Sequence, residues 1–270
     1  MKTSVIWSDG AFPSDTSPLA GPLYECTAQA ADIGFDALTL SAKDKNEIDA
    51  AKLNSCLAKH GMTVSGIATG GIFGGLKATL GTAVEEKRSL AVRQMCGLAE
   101  LCNELNGARL IVAAVRGRTS EATTRAEYEA NLRKSLEQIL MRCEPLGITV
   151  LMEAMEASAF DYCNTIPETA QFVQSFNHDL FKLQIDTYHI HGNAEENTFV
   201  DSIRQYANLI AQADISDHRR MAPDGEHFDF KTYLEVLAEV GYDDWTVFEY
   251  RPAPPDDAAK RGFEYIRTLL

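Results

Sequence analysis

The stretch Thr149-Val150-Leu151-Met152-Glu153 is a short apolar run that ends in a carboxylate, and the same pattern recurs three more times. The later runs end at Asp186, Asp214 and Glu249. These acidic residues are therefore about 30 residues apart, which is the length of one βα unit. The spacing indicates one acidic residue at each strand end in the second half of an α/β protein.

Working outward from this stretch, strand-like and helix-like segments alternate eight times along the chain. Strands are predicted at Thr3–Trp7, Ala37–Leu40, Thr63–Ala68, Arg109–Val115, Thr149–Met152, Phe181–Ile185, Leu209–Ala213 and Trp245–Phe248. Helices are predicted at Leu23–Ile33, Lys45–Lys59, Ala83–Asn106, Arg125–Cys143, Ile166–Ser175, Thr198–Ala207, Phe230–Val240 and Asp257–Leu270. Eight such units predict a single (β/α)8 TIM barrel over residues 1–270. A doubly wound sheet is the alternative, but the first strand lacks the GxGxxG turn that would favour it.

Composition excludes several classes of function. The 270 residues are 45% hydrophobic and 24% charged, as in an ordinary globular protein, and carry a net charge of −14. This charge argues against nucleic acid or an anionic membrane as a partner. No apolar stretch approaches the roughly 20 residues that span a bilayer, and the N-terminus is typical of a first strand rather than of a signal peptide. Six cysteines without a CxxC pair indicate reduced thiols and a cytoplasmic location.

The four strand-end carboxylates predict a metal site. In a closed barrel the C-terminal ends of the strands share one rim, where the chemistry of this fold takes place. Carboxylates gathered there repel one another unless a cation lies between them. We therefore expect one divalent cation bound by Glu153, Asp186, Asp214 and Glu249.

Several motifs carry a family resemblance over nearly the whole chain. They are Asp186-Thr-Tyr-His189, Asn164-Thr165, Arg219-Arg220 followed by Met-Ala-Pro-Asp-Gly-Glu, and Val247-Phe-Glu249. As an ordered set they resemble the xylose-isomerase-like TIM-barrel superfamily, in its branch of ketose 3-epimerases, hydroxypyruvate isomerases and inositol-catabolism enzymes. The resemblance implies one divalent cation held by Glu, Asp, His and Glu after strands five to eight.

One metal position departs from that pattern. Glu153, Asp186 and Glu249 match three of the family's ligands, but Asp214 stands where the histidine is expected. An all-oxygen site favours Mn²⁺ or Mg²⁺ over Co²⁺ or Zn²⁺. Alternatively, His218 or His189 supplies a nitrogen ligand.

The resemblance also implies substrate contacts. His189 matches a substrate-binding histidine, and the Arg219–Arg220 pair matches a substrate-binding arginine. Arg116 follows strand four and is a further candidate to grip a carboxylate or phosphate, unless these arginines only neutralise the acidic cluster. The family's second glutamate, six residues past the first metal ligand, is Ala159 here, with Glu156 and Asp161 nearby.

These observations predict an isomerase or epimerase acting on a small polyhydroxy carbonyl substrate, neutral or anionic, through an enediolate. Glu153 and Glu249 would remove and return the proton. The alternatives are a lyase on the same site, either a dehydratase or a decarboxylase of an oxo sugar acid or cyclitol, and a barrel retained only for binding. A homo-oligomer is the default assembly. We also expect the glycine-dense loop at residues 70–81 to act as a mobile lid, and pocket walls or core at Trp7, Phe12, Phe73 and Phe248.

Overall fold

The chain forms a single closed barrel of parallel strands surrounded by helices. A computed structural model describes residues 1–10, 16–254 and 257–270, so Phe12 lies outside the described residues. The strands are β1 Lys2–Ser8, β2 Leu19–Ala20, β3 Ala37–Ser41, β4 Thr63–Ala68, β5 Arg109–Val112, β6 Val150–Glu153, β7 Phe181–Asp186, β8 Ile210–Ile215 and β9 Trp245–Phe248. The helices are α1 Leu23–Ile33, α2 Ala50–His60, α3 Gly70–Gly74, α4 Glu85–Glu104, α5 Arg125–Cys143, α6 Ile166–Gln174, α7 Thr187–Gly192, α8 Phe199–Tyr206, α9 Phe230–Glu239 and α10 Ala258–Arg267.

Strand pairing closes the barrel. Strands β1 and β3 to β9 pair in chain order, every pair is parallel, and β9 pairs back onto β1 from Lys2 opposite Trp245 to Val5 opposite Phe248. The two-residue strand β2 adds to β1 only at its C-terminal end. The predicted (β/α)8 barrel is confirmed, and the carboxyl ends of its eight staves meet at one rim.

Successive side chains along each barrel strand point alternately into and out of the barrel. Phe248 of β9 points outward, where its ring packs on Phe35 and Phe263 at centroid distances of 5.1 and 6.0 Å. Glu249, the next residue, therefore points into the barrel mouth. Phe248 therefore belongs to the core, which is one of the two roles predicted for it. The burial of this aromatic layer fixes the direction of the Glu249 carboxylate beside it.

Local signals account for the helix ends. Gly34 and Gly61 close α1 and α2 in the left-handed conformation, at φ 112° and 67°, where a side chain would be strained. Thr165 caps α6 by accepting the Glu168 backbone N–H, and Pro167 occupies its first turn. The predicted Thr165 cap is confirmed.

Several element boundaries differ from the prediction. Strand β5 ends at Val112, three residues early, because Ala113 leaves the extended region and residues 114–116 form a 3-10 turn. Helix α2 begins at Ala50, since Asp49 caps it and a separate 3-10 turn occupies Lys45–Glu47. Helices α3 and α7 and strand β2 were not predicted. They are short segments in loops, where period-based signals are weakest.

The cysteines and the helices were also subjects of prediction. All six cysteines carry free thiols, and four of them are buried: Cys26, Cys102, Cys143 and Cys163. Within the described ranges, no helix combines the length and the apolar character needed to cross a lipid bilayer.

Candidate active site

Four carboxylates meet at the barrel mouth. Glu153 and Asp186 end β6 and β7, Asp214 lies in β8 one residue before its end, and Glu249 follows β9 directly. One oxygen each of Glu153, Asp214 and Glu249 lies within 4.8 Å of the other two. The structure thus brings together the side chains that were predicted from their spacing.

A second group shares Glu153. Ligand atoms of Glu153, Asp186 and His189 also lie within 4.8 Å of one another, with all three side chains buried. His189 follows Asp186 by three residues, and helix α7 turns its ring back over the strand end. The alternative of a nitrogen ligand from His189 is therefore compatible with the geometry. The ring of His218 instead stacks between those of His191 and His227, at centroid distances of 5.2 Å.

Burial dominates the electrostatics of this cluster. It raises the pKa of each of the four carboxyl groups, and the negative charges of the neighbouring acids raise those of Asp186, Asp214 and Glu249 further. Positive charge on Arg220 acts in the opposite direction on Glu153, Asp186 and Glu249. The site therefore favours bound protons or a bound cation over four free negative charges.

The donor set fits a hard divalent cation. Glu153 Oε1 is buried and makes no hydrogen bond within the described part of the chain, which leaves one acceptor oxygen facing the cluster without a partner. Oxygens of Asp186 and Asp214 do have hydrogen-bond partners, but each retains lone-pair capacity for a further ligand. Carboxylate oxygens are the ligands that Mg²⁺, Mn²⁺ and Ca²⁺ prefer.

Two glutamines hold Asp214. Gln184 and Gln212 donate their side-chain N–H groups to its two oxygens, both at 2.9 Å. Each glutamine lies two residues before an acid on its own strand, so both point inward one layer below the rim. Their own Oε1 atoms are buried without a hydrogen-bond partner among the described residues. The clamp fixes a carboxylate at the position where the family resemblance places histidine.

His189 and Arg220 form the basic side of the site. Arg220 Nη1 makes a short ion pair with an Asp186 oxygen and lies 3.8 Å from Glu249 Oε2, while Nη2 lies 2.9 Å from His189 Nε2. Burial opposes the charge of Arg220, but these carboxylates outweigh it and raise its pKa. Burial and Arg220 together lower the pKa of His189 to about 3, so the imidazole is neutral at physiological pH.

The other two predicted arginines lie elsewhere. Arg116 is fully buried, and its guanidinium donates to backbone carbonyls, including that of Glu153. Its remaining carbonyl partners are those of Val112, Ala113, Tyr162 and Cys163, at 3.0–3.3 Å. Arg219 is exposed and lines a cavity of about 490 Å³ with His218 and His227. The contacts of Arg116 support a positioning role for β6, and its predicted contact with substrate stays a prediction, as does that of Arg219.

Three residues of the site were not predicted from the sequence: Gln184, Gln212 and Tyr188. The glutamines could have been found, because a polar residue two positions before a strand-end acid shares its inward face. The guanidinium carbon of Arg220 lies 4.3 Å from the centre of the Tyr188 ring, and no sequence pattern indicates that contact. Of the predicted aromatic walls, Phe73 packs on Phe160 at 5.5 Å and Trp7 is buried.

Comparison with known proteins shows which family the chain belongs to. Residues 27–269 match the model of the xylose isomerase-like TIM barrel family, so the chain belongs to that family. Among curated relatives, a ketose 3-epimerase of Arthrobacter globiformis is 25% identical, covering 81% of this chain and 74% of its own. A 3-dehydro-D-guloside 4-epimerase of Escherichia coli is 24% identical, covering 88% and 91%.

A solved structure shows the same fold. The apo 3-keto-D-glucoside 4-epimerase of Escherichia coli superposes with a TM-score of 0.81 at 19% identity, over 99% of this chain and all of that one. The family resemblance drawn from the motifs is confirmed by the match of residues 27–269 to the family model.

Proposed function

We propose that this protein is an isomerase or epimerase of a small sugar or sugar acid that depends on one divalent cation and moves a proton through an enediolate. The observation that carries the proposal is the convergence of Glu153, Asp214 and Glu249 within 4.8 Å at the rim. Membership of the family and the sugar epimerases among its relatives support the same activity.

Glu153, Asp186, Asp214 and Glu249 would hold the cation, and their oxygen-only donor set favours Mn²⁺ or Mg²⁺. When bound, such a cation supplies positive charge that stabilises the negative charge developing on the substrate oxygens. The four side chains come from four consecutive staves, so the barrel itself fixes their separation.

Glu153 and Glu249 are the proton-transfer pair in this proposal. They extend from non-adjacent staves, β6 and the end of β9, and can therefore address a bound substrate from two sides. One carboxylate takes the proton from the carbon beside the carbonyl, and the other acid returns it. Burial raises the pKa of both groups, which makes each a stronger base than a carboxylate in water.

His189 and Arg220 would orient the substrate. The Glu156 backbone N–H donates to His189 Nδ1 at 3.0 Å, which fixes the orientation of the imidazole. Its Nε2 faces the carboxylate cluster, 3.4 Å from Glu153 Oε1 and 2.9 Å from Arg220 Nη2, so the imidazole and the guanidinium reach the same part of the barrel mouth. Arg220 adds a fixed positive charge on the same side.

The test is a pair of isosteric substitutions, Glu153→Gln and Glu249→Gln. Each removes a base while keeping size, and we expect turnover of a ketose panel to fall by about 10²-fold or more. Asp161→Asn is the matched control, because Asp161 lies on the loop that follows β6 but its carboxylate accepts hydrogen bonds from Thr119. This variant should retain activity.

Isotope exchange identifies the reaction. In deuterated water the wild-type enzyme should transfer deuterium to carbon in the recovered sugar without loss of water or carbon dioxide. Full activity in either glutamine variant would overturn the assignment of the pair, and release of water or carbon dioxide would identify the lyase instead.

A further inference from the structure

The loop after β6 lacks one substrate-facing acid and offers another. Ala159 stands at the position where the family resemblance places a hydroxyl-binding glutamate, and its carbonyl accepts Arg118 Nε at 2.8 Å. Two other carboxylates, Glu156 and Asp161, lie on this loop. Asp161 accepts both the backbone N–H and the hydroxyl of Thr119, so its two oxygens are engaged.

Glu156 differs from Asp161 in how its two carboxylate oxygens are engaged. Its Oε1 accepts the Tyr188 hydroxyl at 3.1 Å, whereas Oε2 has no hydrogen bond to any residue that the structure describes. The side chain is half-buried, in contrast to the buried carboxylates of Glu153, Asp186 and Asp214. A half-buried carboxylate with one open oxygen is a strong acceptor for a hydroxyl group.

The position of Glu156 is fixed from three directions. Its backbone N–H holds His189, and its carboxylate holds Tyr188, whose ring lies 4.3 Å from the Arg220 guanidinium carbon. On the third side the carboxylate rests against Gly192, where an added Cβ would lie only 2.6 Å from Oε2. Glu156 is therefore linked to both groups that are proposed to orient the substrate.

Polar contacts hold the loop backbone as well. Asn193 Oδ1 accepts the N–H of Ala157 at 2.9 Å, and Asn193 Nδ2 donates to the carbonyl of Asn164 at 2.9 Å. Asn164 in turn donates to the carbonyl of Met155 at 2.8 Å. Such a site is preorganised, so a bound hydroxyl meets an acceptor that does not have to be ordered first.

We infer that Glu156, supported by Tyr188, binds a substrate hydroxyl away from the reacting carbon and so sets specificity. The inference rests on the proposed sugar isomerase or epimerase function. Glu156 takes over from the neighbouring loop position the task that Ala159 cannot perform. The ligand it recognises is a hydroxyl-bearing carbon chain, and its negative charge disfavours a carboxylate or phosphate at that place.

The experiment compares a ketohexose with its analogue that lacks one distal hydroxyl, across the positions of the chain. For one of these hydroxyls, wild-type enzyme should show a kcat/KM about tenfold or more higher for the complete sugar than for the analogue that lacks it. The analogue leaves the Glu156 acceptor oxygen unpaired in the complex. In Glu156→Ala that ratio should fall toward one, mainly through KM for the complete sugar. A merely structural role would lower both substrates alike.

Two further variants separate position from charge. Gly192→Ala keeps Glu156 but displaces its carboxylate, and we expect the same loss of discrimination. Asp161→Asn, on the same loop, should leave the ratio unchanged. An unchanged ratio in Glu156→Ala, or an equal change in Asp161→Asn, overturns the inference while the proposed function stands.

Binding of the same sugars, followed by calorimetry, distinguishes the remaining cases. If wild-type protein binds the ketohexose in a Glu156-dependent way but never turns it over, the proposed function fails and the specificity role stands. If it neither binds nor converts any ketose of the panel, both are overturned.

Discussion

Asp214 stands where the family resemblance implies a histidine. Its two oxygens are held by Gln184 and Gln212, which leaves no room for a free rotation of the carboxylate. Two amide donors suit an anionic oxygen ligand rather than an imidazole nitrogen. In the proposed metal site, Asp214 and the two glutamines would together favour a hard cation.

We predict that Asp214→His changes the metal preference. Nitrogen ligands favour Co²⁺ and Zn²⁺ relative to Mn²⁺ and Mg²⁺, so the ratio of Co²⁺ to Mn²⁺ affinity should rise by about tenfold. Calorimetric titration of the metal-free protein measures this ratio without any assay of activity.

Asp214→Asn is the matched control, because it removes charge but adds no imidazole. It should lower the affinity for Co²⁺, Zn²⁺, Mn²⁺ and Mg²⁺ alike, with little change in the ratios of these affinities. A Co²⁺ to Mn²⁺ ratio that is the same in Asp214→His and in wild type would contradict the assignment of Asp214 as a ligand.

Arg116 acts at the scale of elements, because it joins the loop after β5 to the end of β6 and the loop beyond it. Its side chain has no exposed surface and donates only to carbonyls. Arg116→Met would remove the guanidinium donor from those buried carbonyls, and we expect a loss of about 3 kcal/mol or more in the free energy of unfolding.

Urea unfolding measures that loss. Arg118→Met, two residues further on and exposed, is the control and should change the free energy of unfolding by about 1 kcal/mol or less. Equal effects of the two substitutions would show that the buried carbonyl contacts do not matter.

Glu195 links two other elements, since its Oε1 accepts the backbone N–H of Ile166 at the start of α6. Burial raises the pKa of Glu195 to about 7, above the ordinary value near 4.5 that it would have in the unfolded chain. A raised acid pKa stabilises the fold at low pH, and this contribution is lost as pH rises from about 4.5 through 7.

Glu195→Gln should therefore gain stability over wild type as pH rises. Glutamine keeps an acceptor for Ile166 without burying a charge. We expect melting temperatures to differ little near pH 5 and the variant to melt higher near pH 8. A difference that does not vary with pH would contradict the raised pKa.

The elements also show what the sequence could and could not predict. All eight barrel strands were predicted, because buried parallel strands read as apolar runs and each is followed by an amphipathic helix. The carboxylates were predicted because they end those runs. Tyr188, by contrast, contributes through the direction in which α7 turns its ring, and a six-residue helix leaves too few residues for a periodic signal.

At the scale of the whole molecule, four acidic side chains lie together where the barrel strands end. Burial raises the pKa values of the four rim carboxyl groups, and repulsion raises three of them further, so the metal-free folded protein binds more protons than the unfolded chain above pH 4 or so. Stability of the metal-free protein should consequently fall as pH rises through the raised pKa values.

We predict that a divalent cation reverses this trend. Mn²⁺ or Mg²⁺ competes with protons for the carboxylates, so the rise in melting temperature on adding metal should be larger near pH 8 than near pH 6. Thermal melts of chelator-treated protein, with and without each cation, measure it.

Glu153→Gln combined with Asp214→Asn should abolish most of that rise. Absence of any metal-dependent shift in the wild-type protein would support a barrel that only binds small molecules, and would remove the basis of the proposed chemistry.

The pairing of β9 with β1 has a consequence for how the molecule is made. Strand β1 can pair with its second neighbour, β9, only after all the residues between them have been synthesised. Until then the nascent sheet is open at two edges, which invite pairing with other chains. The pairing of β9 with β1 also brings Glu249 to the rim, so the four acids come together only when the last open strand edges pair.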